Sequence, residues 1–279
     1  MTLAELIART EKRFKAARLH YGHGTANARD EAAFLVLRAL RLPFSRPLSE
    51  PVSVRSAARV ESLVKRRIAE RIPAAYLLRE AWLDGQRFYV DRRVIIPRSH
   101  IAFMLKELPE PKTVLDLCTG SGCLAVLATR AFPRARVTAS DLSADALAVA
   151  RRNVGRRIRL VQSDLFDKVK GSFDLIVTNP PYVTTRSMRR LPAEYRYEPG
   201  LALAAGSDGL DIVRRILAEA PARLNPGGRL ICEVGDGRKA VERAFPRLRL
   251  RWPRDEVFVL EAPKTAGASQ TRARRARAS

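Results

Sequence analysis

Residue types that bind metals or form cross-links are few in this sequence. Its 279 residues include three cysteines and three histidines, namely Cys118, Cys123, Cys232, His20, His23 and His100. No two cysteines form a C-x-x-C pair, and their odd number argues against a disulfide framework. The histidines are not spaced like the ligands of a zinc site. We therefore expect neither a structural nor a catalytic metal.

Long apolar runs are also missing. No run approaches the roughly 18 residues that a membrane-spanning helix needs. The amino terminus, MTLAELIARTEKRF, is amphipathic, contains acids and lacks the apolar centre of a signal peptide. Hydrophobic residues nevertheless make up 46% of the chain, which is enough for a folded core. These features predict a soluble cytoplasmic protein with one catalytic domain and one smaller domain.

Lysine is scarce, so arginine supplies nearly all of the basic excess that gives the chain a formal net charge of +23. One interpretation is a partner rich in nucleic acid, such as a ribosome or one of its assembly intermediates. The other interpretation is a GC-rich genome whose codon usage favours arginine wherever a surface cation is tolerated. The charge alone does not decide between them.

The first 80 residues have the pattern of a small helical bundle. Apolar side chains recur at helical spacing in two places, at Leu3, Leu6, Ile7 and Phe14 and at Val60, Leu63, Val64, Ile68 and Ile72. Between them, the run 30–40 predicts a denser apolar helix with Asp30 as its amino-terminal cap. The connections at 21–27 and 42–51 carry the glycine, proline and serine of loops.

A hairpin-like stretch over 82–97 follows the helices. It has an Asp-Gly turn near its start and β-forming residues on both sides of Asp91. The last sixteen residues carry five basic side chains and no acid. We predict a helical domain over 1–80, a hairpin linker over 81–100, a catalytic domain over 101–263 and a basic disordered tail over 264–279.

From about residue 112 the chain alternates between strand-like and helix-like runs, which predicts an α/β fold with a mostly parallel sheet. Strands are expected at 113–118, 136–141, 158–164, 173–179 and 228–234, and helices at 123–132, 143–154 and 209–224. Two final runs, 248–252 and 256–262, predict an antiparallel hairpin at the sheet edge. The irregular 181–208 segment follows a strand end, where open α/β sheets bind ligands.

A glycine-rich turn, VLDLCTGSGC at 114–123, joins the first of these strands to a helix. Gly120 and Gly122 remove side chains where a ligand must approach the backbone, a device that dinucleotide-binding folds share. Asp116 discriminates between ligands, because a pyrophosphate site has no use for a carboxylate, whereas the ammonium of an aminoacyl group needs a counter-charge. The turn therefore favours S-adenosylmethionine over NAD. A purely structural turn is the alternative.

Two further aspartates follow later strands. Asp141 comes about twenty positions after the glycine turn, where it can accept both hydroxyls of a ribose; its other interpretation is the cap of the helix that begins near Ser143. Asp164 can accept a hydrogen bond from the adenine amine, with Leu165 and Phe166 as apolar surface. The alternative for Asp164 is a solvated turn residue.

The most specific motif is NPPY at 179–182, after the fourth strand. Pro180 and Pro181 lack N–H groups and fix φ, so that backbone carbonyls there are free to accept. Asn179 adds a side-chain acceptor, and two acceptors can hold an NH₂ group in one orientation. Tyr182 offers an aromatic face to a planar group. The motif predicts catalysis by Asn179, Pro180 and Tyr182, although two prolines can also merely end a strand.

An amide nitrogen is a poor nucleophile because its lone pair is delocalised. Two hydrogen bonds from its hydrogens to acceptors raise its electron density and favour pyramidalisation. Catalysis would then come from orientation and preorganised acceptors, with no general base.

The sequence resembles the HemK/PrmB family of bacterial glutamine methyltransferases. The matching residues are YGHGT (21–25), ERIPAAYL (70–77), FYVDRRVIIPRS (88–99), LDLCTGSGC (115–123), SDLF (163–166), NPPYV (179–183), LPAEYRYEP (191–199), GSDGL (206–210) and CEVG (232–235). The first and seventh blocks, and the cysteine at 118, are closest to the branch that modifies the third protein of the large ribosomal subunit.

This resemblance implies a helical substrate-recognition domain, a hairpin linker and a Rossmann-like methyltransferase domain of seven strands that uses S-adenosylmethionine. It implies a cofactor site at Asp116, Cys118, Thr119, Gly120, Ser121, Gly122, Asp141, Asp164, Leu165 and Asn179. It also implies a glutamine amide held by Asn179, Pro180, Pro181 and Tyr182.

Some residues depart from the family pattern. After NPPYV the family tends to be acidic, whereas this chain reads TTRSMRR, and His100 stands where proline is expected. Three alternatives remain open at the level of sequence. They are methylation of release factors, methylation of an exocyclic amine in RNA or DNA, and a non-catalytic ribosome-assembly factor.

Overall fold

The computed structural model describes residues 1–264. Its amino-terminal part contains α1 (Leu3–Ala16), α2 (Ala28–Ala39), α3 (Val54–Glu70) and α4 (Ala74–Leu78). The apolar residues that share the predicted helix faces, such as Leu3, Phe14 and Val60, are buried in one core. Burying one such side chain contributes roughly 1.5–3 kcal/mol. The tail predicted over 264–279 lies, apart from Lys264, outside the described residues.

The start and end of two helices differ from prediction. Helix α2 is capped by Asn27, whose Oδ1 accepts a hydrogen bond of 2.9 Å from the backbone N–H of Asp30. Asp30 was predicted as the cap but lies in the first turn, where its charge complements the helix dipole. Helix α3 ends at Glu70, because the C-cap residue Arg71 adopts a left-handed φ of 60° before the Ile-Pro pair, so Ile72 lies outside the helix.

The predicted hairpin is shorter than 82–97. Strands β1 (Ala81–Leu83) and β2 (Gln86–Phe88) form three pairs across the Asp-Gly turn. Beyond them the backbone N–H groups bind side chains instead of a partner strand. Tyr89 donates to Asn153 Oδ1 and Ile96 donates to Glu198 Oε1. These side chains hold residues 89–100, here called the connector, in an irregular path up to the short helix α5 (Ile101–Met104).

The remaining elements alternate as predicted. They are β3 (Thr113–Leu117), α6 (Cys123–Ala131), β4 (Arg136–Asp141), α7 (Ala144–Asn153), β5 (Ile158–Gln162), β6 (Phe173–Thr178), α8 (Thr185–Met188), α9 (Asp211–Arg223), β7 (Leu224–Glu233), α10 (Arg238–Ala244), β8 (Arg251–Arg254) and β9 (Val257–Glu261). The seven strands β3–β9 form one sheet in the order β5-β4-β3-β6-β7-β9-β8. Strand β9 runs antiparallel between β7 and β8, as the two final apolar runs predicted.

The two faces of this sheet are covered by different helices. Val114 of β3 packs in a core with residues of α5 and α6. Leu115, the next residue, packs in a second core with residues of α9 and α10. The amino-terminal core includes Ala146 and Val149, so the helices at the start of the chain pack on α7.

The strand register aligns the carboxyl ends of the central strands. Leu117 of β3 pairs with Ser140 of β4 on one side and with Thr178 of β6 on the other. The residues that immediately follow these positions therefore meet at one edge of the sheet. Within residues 1–264, no helix is both long and apolar enough to cross a membrane.

Candidate active site

A cavity, here called the sheet-edge cavity, opens where the central parallel strands end. Seven of the residues predicted from sequence line it, namely Cys118, Gly120, Asp141, Asp164, Leu165, Asn179 and Pro181. The other predicted residues lie next to it without lining it, namely Asp116, Thr119, Ser121, Gly122, Pro180 and Tyr182. The structure thus brings both predicted sites, for a cofactor and for a planar amide, to one place.

The two glycines of the turn have different roles. Both have a positive φ, 55° at Gly120 and 81° at Gly122. A Cβ on Gly120 would meet nothing within 4 Å, so open space lies beside this backbone. A Cβ on Gly122 would lie 2.9 Å from Cγ1 of Val154 and 3.3 Å from Cβ of Ala150. Gly122 therefore serves the packing of the turn on α7, whereas of these two glycines only Gly120 has open space beside it.

Asp116 is buried beneath the glycine turn. Its Oδ2 accepts hydrogen bonds from the hydroxyl of Thr119 and, at 2.9 Å, from the backbone N–H of Ala125. Its Oδ1 is buried and has no hydrogen-bond partner among residues 1–264. Burial raises the pKa of this carboxyl to about 7, with the charge of Asp141 as a smaller cause. An unpaired carboxylate oxygen at this depth fits a cationic group of a ligand.

Asp141 fastens the turn to the end of β4. Its Oδ2 accepts a 2.8 Å hydrogen bond from the N–H of Gly120, and its Oδ1 accepts one of 2.9 Å from the N–H of Ser143. The cap of α7 is the Ser143 hydroxyl, which accepts from the N–H of Ala146. The carboxylate is thus not the side-chain cap, and it retains lone pairs beside the cavity. Burial raises the pKa of Asp141.

Asp164 is neither free nor buried. Its Oδ1 forms an ion pair of 3.0 Å with Arg215 of α9, and both side chains are more than two-fifths exposed. Leu165 is buried and has a positive φ of 43°, which turns the chain back along the cavity. Phe166 is fully buried in the core and does not line the cavity. The prediction that it forms apolar surface beside the adenine is therefore wrong.

The NPPY residues lie directly after β6. Among residues 1–264, the Asn179 side chain and the Pro180 carbonyl have no hydrogen-bond partner, so both are free to accept. The Tyr182 ring packs on Gly235, where a Cβ would lie 2.6 Å from Cε2 of the ring. Burial raises the pKa of Tyr182 to about 12, so the hydroxyl stays protonated at neutral pH.

The 181–208 segment is ordered by contacts that the sequence did not reveal. Its two ends pair side by side, because Val183 and Ala204 form a parallel bridge. Glu198 is buried and binds Arg98 through both oxygens, at 2.5 and 2.7 Å. Glu194 accepts from the backbone N–H of His20 at 3.0 Å and from Arg67, which is fully buried. The LPAEYRYEP block, noticed only as a resemblance, supplies both carboxylates.

Asn153 at the end of α7 is another functional residue that the sequence did not single out. Its Nδ2 donates to the carbonyls of Tyr89 and Ser121, at 2.9 and 2.8 Å, and its Oδ1 accepts from the N–H of Tyr89 at 2.7 Å. One amide thereby joins the connector to the glycine turn. Within the described residues, no cluster of three or more His, Cys, Asp or Glu side chains could hold a metal.

Comparison with known proteins places this site in a family. A model of the methyltransferase small domain matches residues 100–193. The chain is 50% identical to the ribosomal protein uL3 glutamine methyltransferase of Bordetella pertussis over 268 residues, which cover 90% of each chain. The chain belongs to the uL3 glutamine methyltransferase family. It is also 48% identical to the Burkholderia pseudomallei member over 276 residues, again 90% of each chain.

Membership in the uL3 glutamine methyltransferase family confirms the predicted Rossmann-like fold with its amino-terminal helices, and S-adenosylmethionine as cofactor. The chain is therefore an S-adenosylmethionine-dependent methyltransferase. Among solved structures, a methyltransferase from Pyrococcus furiosus is similar, with a TM-score of 0.46 and 18% identity, covering 76% of this chain and 100% of that one.

Proposed function

We propose that this protein transfers a methyl group from S-adenosylmethionine to the side-chain amide nitrogen of a glutamine in ribosomal protein uL3. The observation that carries the proposal is the position of Asn179 and Pro180. Their free acceptors lie at the end of β6, at the same sheet edge as the open backbone of Gly120. The likeness to uL3 glutamine methyltransferases over 90% of the chain supports the choice of substrate.

The residues of the sheet-edge cavity fit the cofactor. S-adenosylmethionine supplies, when bound, a methyl group on a positively charged sulfur. We propose that Asp116, through its unpaired Oδ1, faces the ammonium of the amino-acid part. Asp141 takes the ribose hydroxyls, and Asp164 and Leu165 border the adenine. The turn from Cys118 to Gly122, with Thr119 and Ser121, forms the floor.

The chemistry of the substrate side follows from free acceptors. The Oδ1 of Asn179 and the carbonyl of Pro180 would accept the two hydrogens of the glutamine NH₂ group and so orient its nitrogen lone pair for methyl transfer. Pro181 lacks an N–H and so keeps the segment rigid, while Tyr182 offers its ring to the planar amide. The methylated nitrogen is strongly acidic and loses its proton without a general base.

A transfer assay tests this function. Purified protein, isotopically labelled S-adenosylmethionine and purified uL3 should give label on one glutamine of uL3, located by mass spectrometry. Release factors and ribosomal RNA serve as the competing acceptors in parallel reactions. Label that enters only RNA, or release factors faster than uL3, would contradict the proposal.

The finer proposal is that the enzyme acts in the cytoplasm on uL3 within an RNA-containing assembly intermediate. Arg186, Arg189 and Arg190 lie beside the NPPY motif, are exposed, and form no ion pair within residues 1–264. Three such charges next to the active site fit RNA phosphates. Methylation of uL3 should therefore accelerate when ribosomal RNA is added, and a triple change of these arginines to Gln should remove that acceleration alone. An unchanged rate with RNA would contradict it.

We also propose that residues 1–80 recognise the substrate, that residues 81–100 link them to the catalytic domain over 101–263, and that the basic tail contacts RNA. The two buried carboxylates of the 181–208 segment, Glu194 and Glu198, support this division. Both are held by arginines from outside the catalytic domain, Arg67 and Arg98. Substrate bound to the helices would thus lie beside the segment that follows the catalytic motif.

A further inference from the structure

A second cavity, here called the aromatic cavity, lies among the amino-terminal helices. Three aromatic rings and three polar residues line it, namely Phe34, Phe44, Trp82, His23, Thr25 and Asp30. None of these residues lines the sheet-edge cavity. The YGHGT block supplies His23 and Thr25, and the proposed methyl transfer gives this block no role.

The aromatic rings are arranged as the walls of a site for a cation. The centroids of Phe44 and Trp82 lie 5.2 Å apart at an interplanar angle of 75°, and Phe44 is 48% exposed. The Trp82 indole is fixed because its Nε1–H donates to Glu80 at 2.8 Å. Arg38, which does not line the cavity, already places its guanidinium carbon 5.9 Å from the Phe44 centroid and 5.8 Å from the Trp82 centroid. One guanidinium of the chain thus already lies within cation–π distance of both rings.

His23 is the second observation that indicates a ligand. Its side chain is 1% exposed, and neither ring nitrogen has a hydrogen-bond partner in the described part of the chain. Burial lowers the pKa of His23 to about 4, so the ring is neutral at pH 7. Its Nε2 lies 3.9 Å from Oε2 of Glu198, and we assign the proton to that nitrogen. Nδ1 then keeps a buried lone pair without a donor among residues 1–264, and an unpaired buried acceptor is costly.

Asp30 adds a negative charge at the rim. It is exposed, accepts from Nδ2 of Asn27 at 2.8 Å, and forms no ion pair within residues 1–264. Asp30 therefore offers a negative charge to a positive group that enters the aromatic cavity.

We propose that the aromatic cavity binds an arginine side chain of the protein substrate and is a second anchoring point for it. The planar guanidinium stacks on aromatic rings, donates to a neutral imidazole and pairs with a carboxylate, a combination that lysine and apolar side chains lack. A ribosomal protein that contacts RNA phosphates carries arginines. The inference rests on the proposed function for the identity of that protein.

The anchoring point is connected to the catalytic segment. The His23 ring lies 4.4 Å from the Tyr195 ring, centroid to centroid, and both His23 and Tyr195 adjoin the Arg98–Glu198 pair. A substrate held in the aromatic cavity therefore touches a residue that contacts the 181–208 segment. The two points of attachment hold the substrate more tightly than the glutamine amide does alone.

Binding can be measured directly by fluorescence. In full-length protein carrying Trp252→Phe, Trp82 is the remaining one of the two tryptophans. Acetyl-Gly-Arg-Gly-amide should change its emission saturably, and the citrulline analogue, planar but uncharged, should bind roughly tenfold more weakly. Asp30→Asn and Phe44→Ala should each weaken arginine binding. The matched controls Asp145→Asn, also in the first turn of a helix, and Phe103→Ala, also 48% exposed, should not.

Kinetics connect this binding to the substrate. Asp30→Asn and Phe44→Ala should raise the KM for uL3 by roughly tenfold, with kcat and the Kd for S-adenosylmethionine unchanged. Equal binding of the citrulline peptide, or an unchanged KM in both variants, would overturn the inference. A change of Trp82 emission on self-association, or on removal of residues 265–279, would also overturn it. The occupant of the aromatic cavity would then be a second copy of this chain or its own tail. If the wild-type protein fails to methylate uL3, the proposed function fails, while the peptide titration still decides whether the cavity binds arginine.

Discussion

At the scale of single residues, alanine substitutions at Gly120 and Gly122 separate the cost of backbone strain from the cost of a steric clash. Alanine at either position must adopt a positive φ, which costs about 1 kcal/mol. Gly122→Ala also presses a methyl group against Val154 and Ala150, for a further ~1–3 kcal/mol. We expect Gly122→Ala to lower the free energy of unfolding more than Gly120→Ala does, as measured by urea denaturation. Equal losses of unfolding free energy in the two variants would show that α7 moves away from the added methyl group without an energetic cost.

Asn179 is the residue on which the proposed chemistry depends most. Asn179→Ala removes one of the two acceptors, so we expect kcat to fall roughly 10²–10³-fold. The Kd for S-adenosylmethionine, measured by calorimetry, should stay nearly unchanged. Asn225→Ala is the matched control, since Asn225 binds Asp174 at the amino ends of β6 and β7, the opposite end of β6 from Asn179, and it should keep wild-type kcat. Full activity of Asn179→Ala would disprove the assigned mechanism.

The buried carboxyl of Asp116 makes stability depend on pH. Its pKa is about 7 in the folded protein and near the ordinary 3.8 when unfolded, so the folded state binds the proton more tightly. The stability that this proton contributes is complete below about pH 4 and is lost as the pH rises to about 7.

Asp116→Asn should remove this loss, because the amide keeps an acceptor for Thr119 and Ala125 and never ionises. The stability of the variant relative to wild type should therefore grow by up to ~4 kcal/mol between about pH 4 and pH 7. Urea denaturation of both proteins at several pH values measures it. A constant difference across this range would mean that Asp116 is already ionised at low pH.

At the scale of elements, the contact between α7, the connector and the glycine turn passes through one side chain. Asn153→Ala removes three hydrogen bonds and leaves the carbonyls of Tyr89 and Ser121 unpaired. We expect a loss of ~2–4 kcal/mol in stability and weaker binding of S-adenosylmethionine, measured by denaturation and calorimetry. Asn153→Asp retains the acceptor for Tyr89 but sets a carboxylate oxygen against the carbonyls of Tyr89 and Ser121, so it should lose at least as much. If both bind the cofactor like wild type, the turn does not depend on α7.

Hydrophobic periodicity was sufficient to predict most elements. Each of the seven strands of the large sheet was expected within a few residues of its observed position, because buried parallel strands are short apolar runs between turns. The connector was predicted wrongly beyond Phe88, since its N–H groups bind Asn153 and Glu198, which are distant in sequence. Local patterns carry no information about such partners.

At the scale of the whole molecule, the net charge of +23 is a uniform destabilising influence. Salt screens the repulsion between like charges, and the Debye length falls to about 8 Å at 0.15 M. We expect stability to rise by about 1 kcal/mol, and Tm by roughly 2–4 °C, between low and physiological ionic strength. Scanning calorimetry in increasing NaCl measures this, with a neutral osmolyte as the control. A Tm that falls with salt would mean that surface ion pairs outweigh the repulsion.

The sequence predicted the residues of the candidate site, but it did not predict the contacts that attach the amino-terminal helices to that site. Parallel strands bring their carboxyl ends together whatever their side chains, so the meeting of Cys118, Asp141 and Asn179 followed from the order of motifs. The buried contact of Arg67 with Glu31 and Glu194 did not follow. A charged residue on a helix reads as solvent-exposed until its distant partner is known.

The paired ends of the 181–208 segment have a consequence for how such enzymes change specificity. Because Val183 and Ala204 already lie side by side, an exchange of the residues between them would leave the sheet undisturbed. Glu194 and Glu198 would nevertheless lose their ion pairs with Arg67 and Arg98 unless residues 67 and 98 came from the same parent. Chimaeras between relatives should accordingly fold well when this loop and the first hundred residues are inherited from one parent, and poorly when they are mixed.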